Sequence, residues 1–194
     1  MIAHVIDDLF DLHYITSLEE TILSSVPVYT TNIANSTSHP KGRKGGTHRL
    51  CGIDIYSRSS PNRVDSLHPK ASEFFDVFEI IEQEFTCPIL LHRIDLNLQF
   101  YGMDGSSHLD SHEYTIMLMN NSEWRPEWGG QFQLLDDQGN VIEEHSYVPG
   151  RVIMFPSNIP HRGLAPLVKS VFRYSTVFRV TMEDDSMFHP QYTE

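Results

Sequence analysis

The sequence predicts a mainly β domain of the α+β class, a barrel-like sandwich of short strands supported by helices from the first half of the chain. Three observations point there. Helical apolar stripes are confined to residues 1–88. From Ile89 onward the apolar residues recur at strand spacing, in roughly eight short runs. Turn signals divide those runs: Gly129-Gly130, Asp137-Gln138-Gly139-Asn140, Pro149-Gly150 and Leu164-Ala165-Pro166.

The elements follow in order. Asp7 to Val26 reads as a helix capped by Asp7 or Asp8, with Leu9, Leu12, Ile15, Leu18, Ile22 and Val26 at three- and four-residue steps. Pro27 interrupts it, and Val28 to Thr31 looks like a short strand. Asn32 to Thr47 has almost nothing apolar and reads as a long loop. Leu50 to Tyr56 alternates as a strand, and Pro61 to Pro69 reads as a second loop. Ala71, Phe74, Phe75, Phe78, Ile81 and Phe85 form a second helical stripe, expected to pack on the outside of a sheet. Each large side chain buried there contributes roughly 1.5–3 kcal/mol.

After Pro88 the pattern becomes extended. In Ile89 to Phe100, Leu91, Arg93, Asp95, Asn97 and Gln99 fall on one face, with Tyr101 next in line. His92, Ile94, Leu96, Leu98 and Phe100 fall on the other. A polar face opposite an apolar one fits a strand bordering a polar cavity. Further strands are expected near 114–119, 131–135, 141–147, 151–155, 160–165 and 171–181.

At 194 residues the chain is long enough for one domain with a real core. Its 14 basic and 26 acidic residues give a formal charge of −12, which repels polyanions and argues against nucleic-acid and anionic-membrane partners. Two cysteines, Cys51 and Cys87, are too few for a disulfide framework and read as buried thiols. Neither a secretion signal nor a long apolar stretch is apparent, so a soluble, cytoplasmic protein is expected.

The chemistry concentrates in Tyr101 to Tyr114. His108 and Asp110 lie two apart after a Gly- and Ser-rich loop, so on extended backbone they face one point. His161, in Phe155-Pro-Ser-Asn-Ile-Pro-His161-Arg-Gly, is the best third ligand. Two His and one carboxylate leave open positions on an ion, the arrangement of non-haem Fe(II) oxygenases. His108 and His112 are four apart, but Gly and Ser precede them and the zinc-protease His-Glu-x-x-His helix is absent. Downstream, Arg173 and Ser175 share one face of a strand and suit a carboxylate.

Assembled, these pieces resemble the Fe(II)/2-oxoglutarate-dependent dioxygenases, nearest to the prolyl 4-hydroxylase-like branch. The resemblance runs from Leu91 to Val180. It rests on Asn97-Leu-Gln-Phe-Tyr-Gly102, His108-Leu-Asp110, Tyr114 to Asn120 and Trp124 to Phe132. Val148 to Pro156, Ile159-Pro-His161-Arg-Gly and Arg173-Tyr-Ser175 complete it, in order and at the family's spacing. It implies a double-stranded β-helix, or jelly roll, as a single domain over 1–194, with 1–88 a helical support region and 89–182 the jelly-roll core. It further implies Fe(II) on His108, Asp110 and His161, and 2-oxoglutarate held at its far carboxylate by Arg173 and Ser175. Asn97, Gln99 and Tyr101 are carried over as cosubstrate contacts. O₂ is the co-substrate, succinate and CO₂ are the co-products, and ascorbate has a place as an accessory reductant.

The implied activity is hydroxylation of a protein, peptide or small-molecule substrate, with the side chain of proline foremost. Two readings compete. Arg173 and Arg179 form an Arg-x₅-Arg, and Glu113 follows the His-x-Asp, as in the nucleic-acid dealkylases of the same superfamily. The negative charge and the Trp128-Gly-Gly-Gln-Phe132 run oppose that. A non-catalytic jelly-roll module would bind metal without producing succinate. Trp124, Trp128 and Tyr114 are candidates for the mouth of the site.

Overall fold

A computed structural model describes residues 1–26, 29–32 and 49–182. Those residues form β1 (His4–Ile6), α1 (Leu12–Ser25), β2 (Tyr29–Asn32), β3 (Arg49–Ser60), β4 (Arg63–Leu67) and α2 (Ala71–Glu82). There follow β5 (Ile89–Phe100), β6 (Tyr114–Met119), a 3-10 turn at Pro126–Trp128, β7 (Phe132–Leu135), β8 (Val141–His145), β9 (Val152–Pro156), β10 (His161–Gly163) and β11 (Phe172–Met182). The larger antiparallel sheet runs β1-β9-β6-β11-β5-β3-β2, with β4 on β3; the smaller runs β10-β7-β8. The loop expected over 32–47 lies almost wholly outside the described residues.

Alternation along the central strands decides what each face of the larger sheet touches. Ile94, Leu96 and Leu98 of β5, Ile116 and Leu118 of β6, and Phe178 and Val180 of β11 join the buried stripes of both helices in one core. Phe78 of α2 meets Phe178 with ring centroids 5.7 Å apart. Met117, Met119, Ile153, Phe155 and Val177 point the other way and pack with Phe132 and Leu134 of the smaller sheet. The molecule is therefore three layers deep, helices, larger sheet and smaller sheet, and Asp95, Asn97 and Gln99 of β5 and Arg173, Ser175 and Arg179 of β11 lie on the side of the smaller sheet.

One bulge explains why the alternation in β5 is incomplete. Arg179 faces Arg93, but Val180 faces Leu91, so His92 is the extra residue. The slip returns Leu91 and Ile89 to the helix-side core, where Leu91 was expected on the polar face.

The first half departs further from expectation. α1 begins at Leu12, not Asp7; its cap is Asp11, whose Oδ1 accepts from the Tyr14 N–H at 2.7 Å. Ahead of it His4–Ile6 adds an edge strand to β9. Leu12 is consequently exposed, while Ile15, Leu18 and Ile22 are buried. The expected loop at 61–69 contains β4, folded back on β3. The strand expected at 50–56 is present as part of the longer β3, and it pairs β5 directly, so the first half of the chain extends the larger sheet. Cys51 and Cys87 are free and buried, as expected.

Candidate metal centre and its anion pocket

The loop carrying His108 is stitched to β10. His108 N donates to His161 O at 3.1 Å and His161 N donates back to His108 O at 3.0 Å. Such a mutually bonded antiparallel pair sets two residues directly opposite each other, and the two imidazole centroids lie 4.3 Å apart. Asp110 N donates to Ser157 O at 3.1 Å, which fixes the third residue beside them. Asp110 Oδ1 lies 3.7 Å from His108 Nε2, and Oδ2 lies 3.4 Å from His161 Nε2. One ligand atom from each residue falls within 4.8 Å of the others, a group able to hold a metal ion.

The surroundings orient these ligands. His108 Nδ1 lies 2.9 Å from Ser106 O, and His161 Nδ1 lies 2.9 Å from Ile159 O. A proton on each Nδ1 satisfies both carbonyls and leaves Nε2 as the free donor atom toward the ion position. Thr115 Oγ1 donates to Asp110 Oδ2 at 2.9 Å, and Arg179 Nη2 donates to Oδ1 at 2.8 Å. Burial works against the Asp110 carboxylate, but Arg179, then His161 and His108, outweigh it and hold its pKa well below the usual carboxylate range.

His112 is not part of this group. Its backbone turns out at φ 70°, and its ring stacks on His92 with centroids 4.2 Å apart. Burial lowers the pKa of both rings.

On the same face of β11, Arg173 is 2% exposed. Its Nε donates to Gly130 O at 2.9 Å, and its Nη1 donates to Gln99 Oε1 at 2.9 Å and to Ser175 Oγ at 3.4 Å. The guanidinium lies 5.1 Å from the Tyr147 ring centroid. Among the described residues no carboxylate pairs with it, and burial lowers its pKa from the ordinary value. Arginine stays charged regardless. An interior cation without a counter-ion is costly and calls for an anion.

Gln99 uses its whole amide: Oε1 accepts from Arg173, and Nε2 donates to Met103 O and Gly163 O, both at 2.9 Å. It therefore holds Arg173 in place and has no spare hydrogen for a ligand. Asn97 sits between Asp95 and Gln99 on β5, opposite Ser175 and half-buried. Tyr101 departs from expectation. The chain turns at Tyr101-Gly102, and its half-exposed ring lies 5.6 Å from Lys169 Nζ, off the face of Gln99. Tyr114 packs with the helix-side core, not at a mouth. Trp124 lies against Tyr147 at 4.2 Å and donates from Nε1 to Gly129 O.

Thr115, which donates to Asp110, and Tyr147 and Gly163, beside Arg173, are not marked as site residues by the sequence; Arg179, paired with Arg173 in the Arg-x₅-Arg, donates to Asp110. Arg179 shares a face with Arg173 and Ser175 by simple alternation, and Thr115 pairs opposite it. That signal was available. Tyr147 lies past the end of β8, and no periodicity marks it.

The donor set at His108, Asp110 and His161 suits a non-haem iron, and the lone buried guanidinium suits the far carboxylate of a dicarboxylic cosubstrate. No family model and no curated protein matches the sequence. Solved structures do match the fold. A 2OG-Fe(II) oxygenase family oxidoreductase from Burkholderia pseudomallei is 14% identical, with a TM-score of 0.68 over 92% of this chain and 84% of its own. A prolyl hydroxylase from Trichoplax adhaerens, in complex with a hypoxia inducible factor peptide fragment, is 15% identical, with a TM-score of 0.63 over 92% and 82%. The α-ketoglutarate-dependent epimerase SnoN from nogalamycin biosynthesis is 12% identical, with a TM-score of 0.59 over 91% and 76%. The chain thus has the jelly-roll fold of the 2OG-Fe(II) oxygenases.

Proposed function

We propose that this protein is an Fe(II)- and 2-oxoglutarate-dependent dioxygenase that hydroxylates a protein, peptide or amino-acid side chain, with proline the first candidate. The observation that carries the reading is the Arg173 guanidinium. It is buried, forked and without a carboxylate among the described residues, on the same sheet face as a His-Asp-His group. When bound, Fe(II) with 2-oxoglutarate and O₂ supplies the oxidising power, and succinate and CO₂ are the co-products.

The chain's own residues bind and orient. His108, Asp110 and His161 would hold the ion from one side. Arg173 and Ser175 would receive the far carboxylate of 2-oxoglutarate, with Gln99 and Tyr147 fixing the fork. Phe132 and Phe155 pack within 5.8 Å and 4.7 Å of the His161 ring and keep water from that flank. Proline is favoured by the motif resemblance and by the prolyl hydroxylases among the matching structures. The test is mass spectrometry of proline-containing peptides and free proline after incubation with Fe(II), 2-oxoglutarate and O₂. Gain of one oxygen atom on proline is expected; gain only on another residue would replace proline while leaving the reaction class.

Nucleic-acid dealkylation retains one specific observation. Arg173 and Arg179 both face the site, as the Arg-x₅-Arg reading requires. The formal charge of −12 opposes it. Tight binding of methylated single-stranded DNA at physiological salt would promote that reading over hydroxylation.

A further inference from the structure

Arg179 lies opposite Arg93 on one side and Thr115 on the other, on the sheet face that carries the His-Asp-His group. Two like charges paired across strands repel, and a carboxylate resolves the conflict. Asp95 accepts from Arg93 Nε at 2.8 and 2.9 Å through its two oxygens, and from Arg179 Nη1 at 3.0 Å. Arg179 spends its other terminal nitrogen on Asp110, Nη2 to Oδ1 at 2.8 Å. The charges thus alternate Arg93, Asp95, Arg179, Asp110. The chain runs from a partly exposed Arg93, with 44% of its side chain exposed, through Asp95 and Arg179 at 12% and 14%, to the candidate ligand Asp110 at 5%.

Such a chain is poor evidence of added stability, because each buried charge forfeits its hydration. Its geometric effect is definite. Arg179 takes one oxygen of Asp110 and Thr115 takes the other, so the carboxylate cannot rotate without breaking a charge-assisted bond. Asp95 in turn stops Arg179 from swinging away.

We infer that Asp95 and Arg179 are positioning residues for the metal centre: Asp95 anchors the Arg179 fork, and the fork presents the Asp110 carboxylate to the ion. This rests on the metal role proposed above for His108, Asp110 and His161. It also separates the two arginines of β11 by task, Arg173 facing the cosubstrate and Arg179 serving the metal ligand.

The test is titration of the full-length protein with Mn(II), an oxygen-stable stand-in for Fe(II), followed by calorimetry and by the Mn(II) electron paramagnetic resonance signal. Arg179→Gln is expected to weaken Mn(II) binding by about 10- to 100-fold, the usual effect of losing a partner of a metal ligand. Asp95→Asn should move affinity the same way by less, and Arg179→Lys, which keeps the charge without the fork, should fall between wild type and Arg179→Gln. Arg151→Gln removes a remote ion pair, the one with Asp7. It should lower the melting temperature yet leave Mn(II) affinity and signal unchanged, so lost stability alone cannot account for the effect. Should Arg179→Gln fail to fold, Arg179→Lys and Asp95→Asn decide the matter. Wild-type Mn(II) affinity in the folded Arg179 and Asp95 variants would overturn the inference. Absence of Mn(II) binding by the wild type would instead overturn the metal centre itself.

Discussion

Gly163 backs directly onto the Arg173 fork: a Cβ at that position would lie 3.3 Å from Arg173 Nη1 and 3.0 Å from Gln99 Oε1. Both neighbours are buried and hydrogen-bonded to each other at these atoms, so neither yields cheaply. Gly163→Val is expected to displace the fork at an overpacking cost of about 1–3 kcal/mol. Its 2-oxoglutarate affinity should fall, while Mn(II) affinity measured without cosubstrate should hold. A titration showing wild-type 2-oxoglutarate affinity in Gly163→Val would separate Arg173 from the cosubstrate.

Arg173 itself gives the larger effect. If it pairs with the far carboxylate, Arg173→Ala leaves that carboxylate buried without its cation, a loss of about 2–5 kcal/mol. That is roughly 30- to 5000-fold in affinity. Arg173→Lys keeps the charge and loses the fork, so it should lie between. Equilibrium dialysis of 2-oxoglutarate against folded Arg173→Ala checks this, and unchanged affinity would refute the assignment.

The ligand assignment is separable from its neighbours. His108→Ala, Asp110→Ala and His161→Ala should each abolish Fe(II)-dependent turnover. His112→Ala should retain most of it, because that ring stacks on His92 and lies outside the ligand group. Equal damage from His112→Ala and His108→Ala, measured as turnover with Fe(II) in excess, would mean the wrong pair of imidazoles has been chosen.

Stability at low pH has an identifiable contributor. The hydrogen bond from Arg151, opposed by partial burial, lowers the Asp7 pKa from its ordinary value. A carboxylate whose folded pKa is depressed stabilises the fold above its unfolded pKa of about 3.9, and that contribution is lost as pH falls through the folded value. The pair is partly solvated, so it contributes at most about 1 kcal/mol. Asp7→Asn should therefore melt slightly below wild type at neutral pH, and the gap should close in acid. A gap that widens as pH falls below 4, the range of the ordinary value, would reverse the sign of this account.

The strands after Pro88 were legible because alternation and turn residues agree there, and β5 and β6 match expectation at both ends. The bulge at His92 was not, since an extra residue leaves no composition signal and shows only when two strands are paired. Leu9 and Leu12 extend the apolar stripe of α1 toward the N-terminus, whereas the cap at which it begins is a single bond, from Tyr14 N–H to Asp11 Oδ1. That His108, Asp110 and His161 come together was legible from spacing plus motif order. Asp95 on the polar face of β5 and Arg179 in the Arg-x₅-Arg were visible, but their bonds to each other and to Asp110 were not, since an arginine among apolar strand residues reads the same whether it meets solvent or a carboxylate.

The most direct measurement is succinate formation from 2-oxoglutarate by the purified full-length protein, with and without Fe(II), in air and under nitrogen. The account predicts succinate only when Fe(II) and O₂ are both present, its formation lost in Asp110→Ala and weakened at low 2-oxoglutarate in Arg173→Lys. A folded wild-type protein that binds Fe(II) and releases no succinate with any proline-containing peptide, free amino acid or methylated oligonucleotide would contradict it, leaving a metal-binding jelly roll without this catalysis.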